Sequence, residues 1–113
     1  MTEQTSDLQT PVLDLMGLMT AASAEASSLD AETFTLVRIA ALAAVDAPAV
    51  SYVLNLGAAA ELDIDPDRVR GVLAAIAPIV GTARVASATG NIAEALAVAI
   101  EVAEIAGEAE ATS

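Results

Sequence analysis

The residues whose types and spacing could do chemistry lie close together: Ser51, Tyr52 and Asn55. Ser51 and Asn55 are four residues apart, so a helix would place them on one face. Arg38 stands alone in an apolar segment, and a buried charge needs a carboxylate, a carbonyl or water. We predict for Arg38 either an ion pair with another helix or subunit, or an anion-binding position facing a cavity. The four side chains form a candidate pocket for a small carboxylate, in which Ser51 and Asn55 are the catalytic candidates.

The composition excludes several kinds of site. The chain has no cysteine and no histidine, which removes thiol chemistry, disulfides, the commonest general base and the commonest metal ligand. The aspartates at 63, 65 and 67 do not form a calcium loop, because Arg68 and Arg70 follow at once and no glutamate closes a 12-residue loop. We therefore expect neither a metal nor a cofactor.

The charge also limits the partners. The net charge is −12, with four arginines and no lysine, which argues against nucleic acid and against anionic membrane surfaces. The uncharged runs, of which residues 47–60 and 71–83 are the longest, are shorter than the about 18 residues that a membrane span requires. The first ten residues lack the basic and apolar regions of a signal peptide. We predict a cytoplasmic protein without a membrane partner.

Start and stop signals predict an all-α chain of about five to six helices. Thr10 caps a helix that Pro11 begins, Asp30 caps the next, and Asp65 and Pro66 form the strongest start signal. No segment shows the period-2 alternation of a strand. We predict helices over about 10–24, 31–45, 48–62, 66–77 and 81–106.

The same signals define one compact antiparallel domain over residues 10–107. Residues 1–9 are predicted to be a flexible N-terminus, and residues 108–113 an acidic flexible tail. Pro78 is expected to kink or restart the fourth helix. Gly90 and Asn91 could split the last helix in two, which is why the number of helices is left open.

Hydrophobic residues make up 56% of the chain but aromatics only 2%, and the mean hydropathy is +0.64. Such a composition predicts helices buried on several sides, which a small monomer cannot provide. Nearly every position of the helix over 34–45 is apolar except Arg38, so we expect it to be buried almost all round. On the last helix the glutamates at 94, 101, 104 and 108 share a sector about 80° wide. The rest of that helix has two packing faces, one for its own chain and one for a neighbouring subunit, which predicts a homo-oligomer.

Four segments within residues 34–96, more than half of the chain, carry a resemblance to a known family. They are LVRIAALAAV, SYVLNLGAAAELDI, DPDRVRGVL and IVGTARVASATGNIAEAL. Their arrangement resembles the carboxymuconolactone decarboxylase family, which includes the alkylhydroperoxidase-D-like proteins. The resemblance implies an all-helical subunit that assembles into trimers or hexamers through its long helices.

The chemistry that the resemblance implies does not fit these residues. Redox-active members of the family carry a CxxC pair followed by a histidine, and the matching positions here look like Pro48, Ser51 and Asn55. Serine has no redox couple, and asparagine exchanges no proton near neutral pH. The acid that precedes the site in active members would fall near Leu36, and Glu32 one turn earlier is more simply a helix-dipole partner. Ser51 and Asn55 either line a pocket with Tyr52 and Arg38, or satisfy each other or the backbone in a degenerate site.

Three functions follow as alternatives. The first is a non-redox homo-oligomer that serves as a binding or scaffold protein with a degenerate or binding-only pocket. The second is a lyase or decarboxylase of altered chemistry, which holds a small carboxylate on Arg38 and polarises it with Ser51, Tyr52 or Asn55. The third is an acidic accessory subunit that docks a partner protein. Whether the chain is an enzyme is left open.

Overall fold

The computed structural model describes the backbone of residues 2–112, and the side chains of residues 10–107 except those at 99, 102, 103 and 106. Over the described backbone the chain forms five helices and no strand, which confirms the prediction of an all-α chain. The helices are α1 (Thr2–Ala26), α2 (Ala31–Ala44), α3 (Ala49–Glu61), α4 (Pro66–Val80) and α5 (Thr82–Thr112). They divide into two units, one carrying α1 and the other carrying α2 to α5. The flexible ends predicted at 1–9 and 108–113 lie outside the described side chains.

The helix start predicted at Thr10 and Pro11 is wrong. The helix α1 begins at Thr2 and runs through Pro11, so Thr10 is an interior residue and not a cap. Proline costs an interior helix one backbone hydrogen bond, but the preceding sequence contains Glu, Gln and Leu, which favour helix. These residues favour a helix that begins before Pro11 and continues through it.

The turn between α2 and α3 is built on Asp46, whose φ is +55°. The amide of Asp46 donates to the carbonyl of Ala43 at 3.2 Å, and the amide of Ala47 donates to that of Leu42 at 2.9 Å. These two bonds form a Schellman motif, with aspartate in the left-handed position that glycine usually holds. Pro48 then precedes the first residue of α3, close to its predicted place.

The turn between α3 and α4 repeats this arrangement. Asp63 has a φ of +55°, and its amide donates to the carbonyl of Ala60 at 3.1 Å. The amide of Ile64 donates to Ala59 at 2.9 Å, and both of these side chains are buried. Asp65 then accepts a hydrogen bond at 2.9 Å from the amide of Asp67 at the start of α4. The predicted cap at Asp65 is confirmed, and the aspartates serve the turn and the helix start.

Two helix breaks predicted farther along the chain do not occur. Pro78 does not restart the helix, because α4 continues through it, and the carbonyl of the exposed residue Ala74 loses a helical bond that water can replace. A kink of α4 at Pro78 stays a prediction. The helix ends only at Gly81, whose φ of 93° and ψ of 156° belong to a region reserved for glycine. The long helix α5 also continues through Gly90 and Asn91. A helical glycine costs about 1 kcal/mol relative to alanine, a cost that the packing of the neighbouring turns offsets.

The core of the second unit lies where α5 packs against α2, α3 and α4. Tyr52 and Ile39 are its largest side chains without any exposed surface. Alanines fill much of the rest, and these small side chains let the helix backbones approach closely. The buried members of this core are Ile39, Ala43, Ala47, Tyr52, Leu56, Leu73, Ala88, Ile92 and Ala95.

Within one chain, α2 is not buried almost all round as expected. Its buried side chains are Thr35, Ile39 and Ala43, which form a single stripe. Val37 is 51% exposed, so an apolar face of α2 is left in contact with solvent. The hydrophobicity of a side chain indicates that burial away from water is favourable. It does not indicate whether the same chain or a neighbouring subunit buries that side chain.

Candidate functional site: a polar cluster and an apolar cavity

The structure places the four predicted pocket residues in different surroundings. Tyr52 is completely buried in the core, whereas Ser51 and Asn55 are half-buried on the same helix. Arg38 lies on α2 with its guanidinium carbon 4.3 Å from the centroid of the Phe34 ring, a cation–π contact. No ion pair of Arg38 is seen among the described residues, and the cavity predicted for it stays a prediction. A pocket shared by these four side chains stays a prediction.

The ion pair between α2 and α4 involves other residues. Glu32 Oε1 and Arg68 Nε are 2.8 Å apart, and both side chains are substantially exposed. An exposed pair of this kind contributes at most about 1 kcal/mol. Glu32 therefore has two structural roles, as an acid in the first turn of α2 and as the partner of Arg68.

A polar cluster that the sequence reasoning missed joins α5 to the turn between α2 and α3. The hydroxyl of Ser87 donates to Asp46 Oδ1 at 2.7 Å. The side-chain amide of Asn91 donates to the carbonyl of Ala47 at 3.3 Å and to Ser87 Oγ at 3.4 Å. Arg84 donates to the carbonyl of Ala44 at the end of α2. These contacts attach α5 to the turn and satisfy carbonyls that the end of α2 leaves without helical partners.

A signal for this cluster was present in the spacing of its members. Arg84, Ser87 and Asn91 follow one another at intervals of three and four residues, which places them on one face of α5. From the sequence, Gly90 and Asn91 indicated only a possible break in the last helix. A polar stripe on an otherwise apolar helix indicates a polar partner, and here the partner is the end of another helix.

Tyr52 lies beside this cluster, and the surroundings of its hydroxyl are unusual. Its hydroxyl is buried and has no hydrogen-bond partner among the described residues. Burial raises the pKa of the Tyr52 hydroxyl above its usual 10.0, and the negative charge of Asp46 raises it further. Tyr52 is therefore neutral at physiological pH and cannot act as a general base. The cluster can anchor and orient, but it lacks a group that exchanges protons near neutrality.

The shifted pKa of Tyr52 predicts a specific loss of stability in alkali. A group whose pKa is raised by folding contributes stability that is complete below the unfolded-state pKa of 10.0 and is lost as the pH rises above it. The chain has no lysine and no cysteine, so Tyr52 is the one side chain whose ordinary pKa lies between about pH 8 and about pH 11.5.

Denaturant unfolding measured across that range should therefore show a falling midpoint, and tyrosinate absorbance should report the same titration. The variant Tyr52→Phe is the control and should show no such fall. An equal fall in the variant would assign the effect to another group.

A cavity of about 360 Å³ opens between α3, α4 and α5. Its floor is formed by the buried side chains of Leu56, Ala59, Ile64, Leu73 and Ile92. Arg70, Thr89 and Ala93 are among the residues at its mouth, and all three are exposed. None of the four predicted pocket residues lines it. The cavity is thus a second candidate site, and its chemistry is apolar.

Among the described residues, no group of three or more acidic, histidine or cysteine side chains is arranged to hold a metal ion. None of the helices, in the part of the chain that was searched, combines the length and apolar character needed to cross a bilayer. Comparison with family models, with curated proteins and with solved structures found no match.

Proposed function

We propose that this chain is a non-redox, homo-oligomeric helical protein of the carboxymuconolactone decarboxylase-like type, with a binding or scaffold role. The observation that carries the proposal is the exposure of large apolar side chains on α1. Six of them are between 56% and 70% exposed: Val12, Leu13, Leu15, Met16, Leu18 and Met19. A continuous apolar surface of this kind usually marks an interaction site.

The pattern on α1 specifies the kind of partner. Val12, Leu15, Met19 and Ala22 follow one another at intervals of three, four and three residues. These are the spacings of the a and d positions of a coiled-coil seam, where another helix packs along the stripe. Most soluble oligomers assemble from copies of one chain, so a second copy of α1 is the partner that the pattern favours.

A second apolar surface supports assembly of the other unit. Val37 on α2 is 51% exposed, Val45 directly after the end of α2 is 71% exposed, and on α3, Val50 and Leu54 are 76% and 73% exposed. Val50 and Leu54 are four residues apart and form one stripe on α3. Covering these side chains by a neighbouring subunit would remove from water the apolar surface that a single chain leaves uncovered.

The non-catalytic part of the proposal rests on residue types. The positions that match the family's site hold Pro48, Ser51 and Asn55, and none of these supplies a thiolate or a titrating base. Two acidic groups of α2 and the turn after it are engaged elsewhere, since Asp46 accepts from Ser87 and Glu32 pairs with Arg68. The resemblance to the family thus supports a shared architecture and not a shared reaction.

Light scattering and sedimentation velocity on the purified chain test this proposal. We expect a defined trimer or hexamer that persists on dilution, together with no turnover of peroxides or muconolactones. A monomer at all concentrations would refute the oligomer. Robust turnover of either substrate would refute the non-catalytic role.

A further inference from the structure

We propose that the cavity between α3, α4 and α5 binds a small, uncharged, apolar molecule. An engineered apolar cavity of about 150 Å³ in another protein holds benzene. The cavity here is about 360 Å³, which corresponds by proportion to roughly 14 carbon atoms. This volume lies at the lower end of the range for small-molecule sites, about 300–1,000 Å³.

The lining indicates that the ligand is uncharged. The floor residues Leu56, Leu73 and Ile92 carry only hydrocarbon side chains. At the mouth, the hydroxyl of Thr89 donates to the carbonyl of Val85 at 2.9 Å, within its own helix. A polar or charged group placed on such a floor would lose its hydration without finding a hydrogen-bond partner, which costs more than apolar contact returns.

The charges at the mouth of the cavity also favour an uncharged ligand. The guanidinium of Arg70 is already paired with Asp67, one turn earlier on α4, and its side chain is exposed. The whole chain carries a net charge of −12, and this negative charge disfavours the approach of an anion to the cavity. Arg70 therefore forms part of the rim and is not a counter-ion for a ligand.

The cavity is too small for a helix of a neighbouring copy to enter it whole. One turn of helix, about 5.4 Å long and about 10 Å wide with its side chains, fills about 420 Å³. A single side chain from another copy would fit, and the experiment must separate this occupant from a free ligand. The described residues of one chain are enough to form the cavity.

Binding of 1-aminoanthracene, an uncharged probe with about 14 carbon atoms whose fluorescence rises in apolar surroundings, tests the site. Ala93→Phe puts a ring into the mouth and should weaken probe binding at least about tenfold, equivalent to about 1.4 kcal/mol. The matched control is Ala86→Phe, an exposed alanine of the same helix that does not line the cavity. It should bind the probe as the parent chain does. Ala60→Leu, at the mouth on α3, is a second cavity-filling variant should Ala93→Phe fail to fold, as judged by circular dichroism.

Competition experiments define the chemistry of the ligand. We expect 1-decanol to displace the probe and decanoate to do so less well. Stronger displacement by decanoate would overturn the claim of an uncharged ligand, and equal binding by the parent chain and the cavity-filling variants would overturn the site. Probe binding that falls as the chain associates would assign the cavity to a neighbour's side chain and would also overturn it. Self-association without probe binding would refute the cavity proposal alone.

Discussion

Replacing Tyr52 with alanine is expected to destabilise the chain by about 3–5 kcal/mol. Tyr52 has no exposed surface and is the largest side chain of a core otherwise made of Leu, Ile and Ala. Small neighbours cannot collapse into the space that it would leave. The free energy of unfolding of a domain is only about 5–15 kcal/mol, so this substitution would remove a large part of it. Urea unfolding followed by circular dichroism measures the change.

The variant Tyr52→Phe separates the ring from its hydroxyl. The hydroxyl is buried without a partner among the described residues, so its removal should change the free energy of unfolding by less than about 1 kcal/mol, or raise it. A loss in Tyr52→Phe as large as that in Tyr52→Ala would show that the hydroxyl makes an essential hydrogen bond. In that case Tyr52 would return as a candidate for function.

Placing a glutamate at Leu15 is expected to abolish or greatly weaken self-association. Leu15 is 57% exposed and lies between Val12 and Met19 on the proposed seam of α1. A charge buried there without a partner costs about 3–5 kcal/mol, which weakens association roughly 150- to 4,000-fold. Sedimentation velocity over a range of concentrations should show smaller species than the parent chain forms.

The matched control adds the same charge away from the seam. Ala21 lies seven residues after Asp14, on the same polar side of α1, and both residues are exposed. Ala21→Glu should therefore leave the assembly unchanged. If both variants associate like the parent chain, α1 is not the interface, and the apolar stripes of α2 and α3 become the place to test.

Local chemistry accounts for the parts of the fold that the sequence predicted well. A cap such as Asp65 followed by Pro66 acts within a few residues, so the start of α4 is visible in the sequence itself. The predictions of helix breaks were less accurate, because Pro11, Pro78 and Gly90 weaken a helix without ending it. Whether such a residue breaks a helix depends on the packing and hydration around it, and those are set by distant parts of the chain.

The candidate sites show the same division. The missing cysteine and histidine, and hence the exclusion of thiol and imidazole chemistry, are properties of composition that no fold can alter. The contact between Ser87 and Asp46 joins residues 41 positions apart, and nothing local to either indicates the other.

The sequence by itself determined an all-helical chain, its acidic charge and the chemistry that it lacks, because helix propensity, capping and side-chain type act locally. Only the tertiary structure decided that Tyr52 is a core residue, that α5 is tied to the turn after α2, and that three helices enclose an apolar cavity. These features arise when side chains distant in sequence compete for the same buried space, and the outcome depends on how the helices pack together.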